Sequence, residues 1–165
     1  IDKEEWNMSR TYMNIRLAYE TKFWLECLQE EVQKVLDLSI KEGDMEEFEY
    51  LIMEKLEQKH ALLGAVSITT FFKVSSSSVI EKAFQETKNY TQSEWMELAS
   101  QMKLTPVKQE MEIGTLTPRL YLKDDIISEL EKYQTLFKSE DMVRQVRMSY
   151  VIKLLVFAYY KKIFL

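Results

Sequence analysis

Residues 150–165 read YVIKLLVFAYYKKIFL, and this stretch decides the fold class. It is the most apolar part of the chain, yet Lys153, Lys161 and Lys162 interrupt it. A helix needs about 20 predominantly apolar residues to cross a bilayer, so we expect no membrane span. A helix that is apolar on most sides is normally the central one of a bundle. We therefore predict a buried C-terminal helix, with Leu154 and Leu155 in the core.

The composition of the whole chain favours the same architecture. Its 165 residues include 3 glycines and 2 prolines, well below the usual shares of about 7% and 5%. Sandwiches, barrels and open α/β sheets need turn residues at every corner, so this scarcity argues against those folds. We predict an all-α bundle of five to seven helices in a single domain, residues 1–165. Because the chain starts at Ile1 without Met, we expect it to be part of a larger protein.

Capping signals place the other helices. Asp2 with Glu5 predicts a long N-terminal helix that runs to about Lys41, with Gly43 as its stop. The later predicted helices cover, approximately, residues 45–63, 78–90, 91–105 and 124–137, and the last one begins after Ser139 as its cap. The segment near 105–122 is predicted to be irregular or a hairpin. Residues 66–74 fit either a short buried helix or a strand.

Few side chains of this chain are suited to catalysis or to metal binding. There is one histidine, His60, and Glu57 stands three residues before it, which is the spacing of a di-iron ligand pair. Such sites need the pair twice, and the chain has no second histidine. Three scattered glycines cannot form a phosphate-binding loop, and carboxylates on helices usually form solvated faces. We therefore predict no catalytic residue, no metal and no cofactor, and a protein that is not an enzyme.

The single cysteine bears on the compartment. Cys27 cannot form an internal disulfide, and beside the apolar stripe of the first helix it is interpreted as a small buried hydrophobe. A reducing, intracellular environment is therefore expected, without a distinction between cytoplasm and nucleus.

Charge is distributed unevenly along the chain. Residues 1–63 hold 15 acidic and 8 basic residues. The C-terminal region instead carries a candidate basic patch, which consists of Arg144, Arg147, Lys153, Lys161 and Lys162. Complementary packing within the fold would explain this asymmetry, and an acidic partner, RNA or an anionic surface would explain it as well.

Residues 94–113 share features with a degenerate helix-turn-helix, an element that reads DNA. Leu98, Ala99 and Met102 lie where its first helix needs apolar and small side chains. Lys103 stands where the turn usually has glycine, and the following segment carries two glutamates that would face phosphates. A structural helical corner is therefore the preferred interpretation.

The length of the first helix leads to the functional hypothesis. From residue 9 to residue 41 it would be about 50 Å long, whereas a compact domain of this size is about 40 Å across. An uncovered apolar end would need another chain to cover it, and we predict partner contacts at Trp6, Tyr12, Met13 and Leu17. Alternatively, the helix kinks and folds its first turns back onto the same domain.

The sequence thus predicts a non-enzymatic protein–protein interaction domain, a scaffold or adaptor of an intracellular assembly. It would bind a protein partner or associate with itself. The alternative function is that of a nucleic-acid-associated helical domain, which would use the basic patch or residues 94–113.

Overall fold

A computed structural model describes residues 9–59, 72–108 and 119–165 of the chain. These residues form six helices and a two-stranded sheet. In chain order the elements are β1 (Arg10–Met13), α1 (Tyr19–Ser39), α2 (Glu42–Lys59), α3 (Ser76–Thr87), α4 (Gln92–Lys103), β2 (Leu120–Lys123), α5 (Asp124–Leu136) and α6 (Met148–Phe164). The predicted all-α bundle of five to seven helices is confirmed, with one small sheet added to it.

The apolar C-terminal helix α6 is central, as predicted. Eight of its 17 residues are buried, and Leu154 and Leu155 expose only 1% and 0% of their surface. Helices α3, α4 and α5 all pack against α6. From α1, the ring of Trp24 lies 5.0 Å from that of Phe157 between centroids. None of the described helices is both long and apolar enough to cross a membrane.

The predicted start of the first helix is wrong. Residues 10–18, which were predicted to be helical, instead contain a strand that begins at Arg10, and α1 begins at Tyr19; the predicted start at Asp2 lies outside the described residues. The segment RTYM contains β-branched and aromatic residues, which fit a pleated surface. Its helical pattern is overridden because a second strand, distant in sequence, pairs with it.

That second strand also corrects the prediction for residues 105–122. The suggested hairpin would have been local, but β2 pairs antiparallel with β1, in a register that joins Arg10 to Lys123 and Met13 to Leu120. Residues 105–108 are not helical. Residues 109–118 lie outside the described residues, so the predicted hairpin within them stays a prediction.

Two predicted helix starts are displaced. Helix α3 begins after Ser75, whose hydroxyl accepts a hydrogen bond from the Ser78 N–H, so Ser78 occupies the third helical position and is not the cap. The last helix begins at Met148, not after Ser139, because Ser139 accepts a turn hydrogen bond from the Met142 N–H and the chain stays irregular up to residue 147. By contrast, the capping box of Thr91 and Glu94 at the start of α4 is confirmed.

The region around Gly43 also differs from the prediction. Gly43 lies in the first turn of α2, and the preceding helix already ends at Ser39. A carboxylate oxygen of Asp44 accepts a hydrogen bond from the Lys41 N–H at 2.9 Å, which satisfies a backbone donor at the helix start. Of the ambiguous residues 66–74, those from 72 onward have no regular secondary structure, and residues 66–71 lie outside the described residues.

The chain divides into two compact units. Unit 1 comprises residues 1–29 and 75–165, and unit 2 comprises residues 30–74, so unit 2 is an insertion in the sequence of unit 1. Every described residue that is buried belongs to unit 1, and no described side chain of unit 2 is buried. The hydrophobic core among the described residues is therefore the core of unit 1. The prediction of one domain over residues 1–165 stays a prediction.

Candidate interaction surface: the tyrosine–arginine face of the sheet

The two faces of the sheet in unit 1 differ in burial. Strand β2 alternates, since Leu120 and Leu122 are fully buried whereas Tyr121 exposes 41% of its surface. Tyr12 of β1 stands directly opposite Tyr121 and exposes 53%. Residues opposite each other in an antiparallel pair share a face. One face of the sheet is therefore part of the core, and the other presents two tyrosines to solvent.

On this outer face the aromatic rings and two arginines are stacked. The rings of Tyr12 and Tyr121 lie 4.4 Å apart between centroids, with an angle of 27° between their planes. The Arg119 guanidinium carbon lies 4.2 Å from the centre of the Tyr12 ring, and that of Arg10 lies 5.9 Å from the Tyr121 ring. Each such contact contributes on the order of 0.5–1 kcal/mol at exposed sites. We call these four residues the tyrosine–arginine face.

The two arginines differ in their charge environment. Arg10 forms an ion pair with Glu81 of α3 at 2.6 Å, and its Nη1 also donates to the Tyr121 carbonyl at 3.2 Å. Glu81 accepts a further hydrogen bond from the Lys123 N–H at 3.1 Å, so one carboxylate holds both strands. The exposed Arg119, by contrast, has no carboxylate of a described residue within salt-bridge distance. Within the described ranges, its charge is therefore not neutralised by an ion pair.

The first residue of α5 fixes the position of β1. One carboxylate oxygen of Asp124 accepts from the Ser9 hydroxyl, and the other accepts from the Thr11 hydroxyl at 2.7 Å. The Asp124 N–H donates to the Ser9 carbonyl at 3.1 Å. The hydrogen bond from Ser9, followed by that from Thr11, lowers the pKa of Asp124 below its ordinary value. Ring stacking, the Glu81 ion pair and these bonds together make the face a preorganised surface.

The structure separates the four predicted partner contacts. Trp6 lies outside the described residues. Tyr12 belongs to the tyrosine–arginine face, Met13 is half-buried, and Leu17 exposes only 4% of its surface and so belongs to the core. Arg10, Arg119 and Tyr121 were missed by the sequence reasoning. The alternation of apolar and polar residues in LYLK, residues 120–123, is a signal that would have indicated an outward-facing Tyr121.

The predicted basic residues do not form one patch. Arg144 and Arg147 are exposed before the start of α6, whereas Lys161 and Lys162 lie in its last turn, roughly 20 Å further along the helix. Lys153, between them, forms an ion pair with Glu20 at 3.6 Å. The five cations are therefore spread from the segment before α6 to its last turn.

The two lysines at the end of α6 have polar partners. Lys162 pairs with Glu86 at 2.5 Å, and Lys161 donates to the side-chain oxygen of Gln101. The hydrogen bond with Lys162 lowers the pKa of Glu86, and the same bond raises the pKa of Lys162. The charge of Lys162 is thus compensated within the fold, whereas Lys161 has a neutral hydrogen-bond partner.

The other sequence hypotheses concern residues 94–113 and a metal site. Residues 94–103 are helical in α4, residues 104–108 are not, and 109–113 lie outside the described residues, so a recognition helix stays a prediction. His60 lies outside the described residues as well, and Cys27 is half-buried. Within the described ranges, no three His, Cys, Asp or Glu side chains are grouped so that they could hold a metal ion.

Known proteins add no information about this surface. Comparisons with protein-family models, with curated protein sequences and with solved structures give no match.

Proposed function

We propose that this chain is a non-enzymatic interaction domain, a scaffold or adaptor of an intracellular assembly, which binds a partner protein through the tyrosine–arginine face. The observation that carries the proposal is the exposed stack of Tyr12 and Tyr121 with Arg119 above it, an arginine that no described carboxylate pairs with. Tyrosine and arginine are the residue types in which binding energy concentrates at protein interfaces.

The geometry of the face supports binding in two ways. First, the rings are already held by each other and by the sheet, so little side-chain entropy remains to be lost when a partner binds. Second, Arg119 lacks a carboxylate partner among the described residues, so an aspartate or glutamate of the partner would supply one. The partner segment expected here is acidic and carries an apolar or aromatic side chain that packs on the rings.

Single-stranded nucleic acid is the second candidate for the same face. Its bases stack on aromatic rings, and arginines neutralise its phosphates. Against it stand the compensation of Arg10 by Glu81 and the formal charge of −5 of the whole chain. We therefore prefer the hypothesis of a protein partner, and the experiment below distinguishes it from binding of single-stranded nucleic acid.

The test is quantitative capture of cellular partners by the full chain and by two double variants. Tyr12→Ala with Arg119→Ala removes the centre of the face, whereas Leu104→Ala with Arg144→Ala removes an exposed apolar residue and an exposed arginine outside it. We expect the first variant to capture at least about tenfold less partner than the wild type, and the second to capture the same amount as the wild type. Far-UV circular dichroism of both variants serves as the control for folding.

Two results would contradict the proposal. Equal capture by the face variant and the wild type would show that the face does not bind. Loss of the captured protein after nuclease treatment, together with strong salt-sensitive retention on single-stranded nucleic acid, would instead support the second candidate.

A further inference from the structure

A second exposed surface lies in unit 2, on α2. Phe48, Leu51 and Ile52 are spaced i, i+3 and i+4, so they lie on one side of the helix. They expose 44%, 47% and 40% of their surface, respectively. The ring of Phe72, 41% exposed, meets that of Phe48 edge to face at 5.6 Å between centroids. We call these four residues the α2 ridge.

The ridge is distinct from the side of α2 that is more protected from solvent. The half-buried positions of the helix are Met45, Glu49, Met53 and Leu56, at spacings of four, four and three residues. They define a neighbouring stripe, since residues three and four apart share a side of the helix. Packing among the described residues of unit 2 therefore leaves the large apolar side chains of the ridge in contact with solvent, as at surfaces that bind partners.

Acidic side chains border the ridge. Asp44 lies one turn before Phe48, and Glu47 and Glu54 lie one turn before and after Leu51 on the helix surface. Lys55 is the cation at this border. All four side chains are exposed.

No described side chain forms an ion pair with these charges. None of the ion pairs between described residues involves a side chain of α2. In unit 1, by contrast, Glu20, Glu81 and Glu86 all pair with cations. Among the described residues, the ridge thus combines apolar area with a bordering surplus of negative charge.

We propose that the α2 ridge binds a cationic amphipathic helix of a partner protein. The apolar side of such a helix would cover the phenylalanine rings and the aliphatic side chains, and its lysines or arginines would meet the bordering carboxylates. A second copy of the chain would bring carboxylates against carboxylates, and an anionic membrane carries the same sign of charge, so both are disfavoured by electrostatics. This surface is separate from the tyrosine–arginine face, whose expected partner is acidic.

The test uses a synthetic peptide as the probe. A fluorescein-labelled helix of leucines and lysines in amphipathic order is titrated with the full chain, and fluorescence anisotropy reports binding. We expect saturable binding that weakens at least about tenfold when the same residues are put in scrambled order, because only the ordered peptide has an apolar side. Binding should also weaken as salt rises from about 50 to 500 mM.

Variants locate the binding site. Leu51→Ser with Ile52→Ser should weaken binding at least about tenfold, whereas Leu104→Ser, at an 82% exposed leucine of unit 1, should leave it unchanged. Glu47→Lys with Glu54→Lys alters two exposed side chains that make no ion pair with a described residue, so it tests the charge effect without removing apolar contacts. This variant should weaken binding and remove most of its salt dependence.

Several outcomes would overturn the proposal. They are absence of binding by the ordered peptide, equal binding of the scrambled peptide, and an equal loss with Leu104→Ser. Unchanged affinity in the charge-reversed variant would do so as well. Because this variant keeps every ridge residue, its result counts even if the double serine variant unfolds unit 2. Either result is independent of whether the tyrosine–arginine face binds a partner.

Discussion

Helices α6 and α2 are nearly equal in length, with 17 and 18 residues, and they belong to different units. Eight residues of α6 are buried, whereas no described side chain of α2 is. Burial of apolar surface is the main favourable term in folding, about 25 cal/mol per Å². Unit 1 therefore has a core that accounts for its fold, and unit 2 has a helix that is only partly covered.

Apart from the ring contact of Phe48 with Phe72, the described contacts of unit 2 are mainly polar. The Gln33 side chain donates to the Phe72 carbonyl and accepts from the Val74 N–H, each at 2.8 Å, and Lys34 lies 3.8 Å from Glu31. Bonds of this kind contribute about 1 kcal/mol or less when solvent has access to them. The difference between the units teaches that, among the described residues, the apolar burial that drives folding lies in unit 1. The large apolar side chains described in unit 2 stay exposed.

The largest expected effect is the loss of the helices of unit 2 while unit 1 remains folded. The three tryptophans of the sequence all lie outside residues 30–74, so tryptophan fluorescence reports on unit 1, whereas far-UV circular dichroism reports on all helices. In a urea titration, we expect part of the circular dichroism signal to disappear before the fluorescence changes. Superimposable curves from the two methods would show instead that the units unfold together.

A smaller effect is expected when a leucine is replaced by alanine once in unit 1 and once in unit 2. Leu154 exposes 1% of its surface and Leu38 exposes 87%. Leu154→Ala should lower the free energy of unfolding by about 2–5 kcal/mol because it leaves a cavity in the core. Leu38→Ala should change it by less than about 0.5 kcal/mol. Urea denaturation followed by far-UV circular dichroism measures both, and similar losses at the two positions would refute the contrast.

The smallest expected effect concerns the pH dependence of unit 1. Hydrogen bonds from Ser9 and Thr11 lower the pKa of Asp124 below its ordinary value of 3.8. Because the folded state has the lower pKa, the carboxylate stabilises the fold above about pH 4, and this contribution is lost as the pH falls through the lowered value. Asp124→Asn should therefore be less stable than the wild type at pH 7, and the difference should shrink in acid.

The measurement is the urea midpoint, followed by tryptophan fluorescence at pH 7, 5 and about 3. Asp141→Asn, at an exposed aspartate in a turn, is the matched control and should show no such trend. The prediction would be wrong if the stability difference between Asp124→Asn and the wild type stayed constant over this pH range. The contribution of the two hydroxyl contacts would then not depend on the charge of the carboxylate.

The sequence predicted those elements whose signals are local. The capping box of Thr91 and Glu94 and the start of α5 near Asp124 were both recognised, since caps satisfy backbone donors within one turn. The central place of α6 followed from its all-round apolar surface. Such features need no knowledge of distant residues.

Other elements depend on distant partners, and there the predictions failed. Residues 10–13 have a pattern that also fits a helix, and only their pairing with residues 120–123 makes them a strand. The irregular chain before α6 is held because the Val146 N–H donates to the Gln134 carbonyl and the Val146 carbonyl accepts from the Gln134 side chain. Neither interaction can be inferred from a pattern along the sequence.

The residues of the candidate site also differ in whether local patterns or distant contacts determine their positions. Tyr12 was predicted as a partner contact from the length of a helix, but it lies in strand β1, so the reason for choosing it was wrong and its role as a contact stays a proposal. Arg119 and Tyr121 become part of the surface only because β2 brings them beside Tyr12. Leu17 was placed in the interface because the helical pattern assigned it to an uncovered stripe, and it lies in the core.

The pairing of β1 with β2 has a consequence for the synthesis of this protein. More than one hundred residues separate the two strands, among them all of unit 2. At about 5–20 residues per second, β1 is without its partner for roughly 5–20 s after it has been made. An unpaired strand is a template for association with other chains, and a charged side chain such as that of Arg10 at its first position reduces that risk. During this interval, unpaired β1 depends on its charged side chain to avoid association with other chains. Afterwards its pairing with β2 protects it.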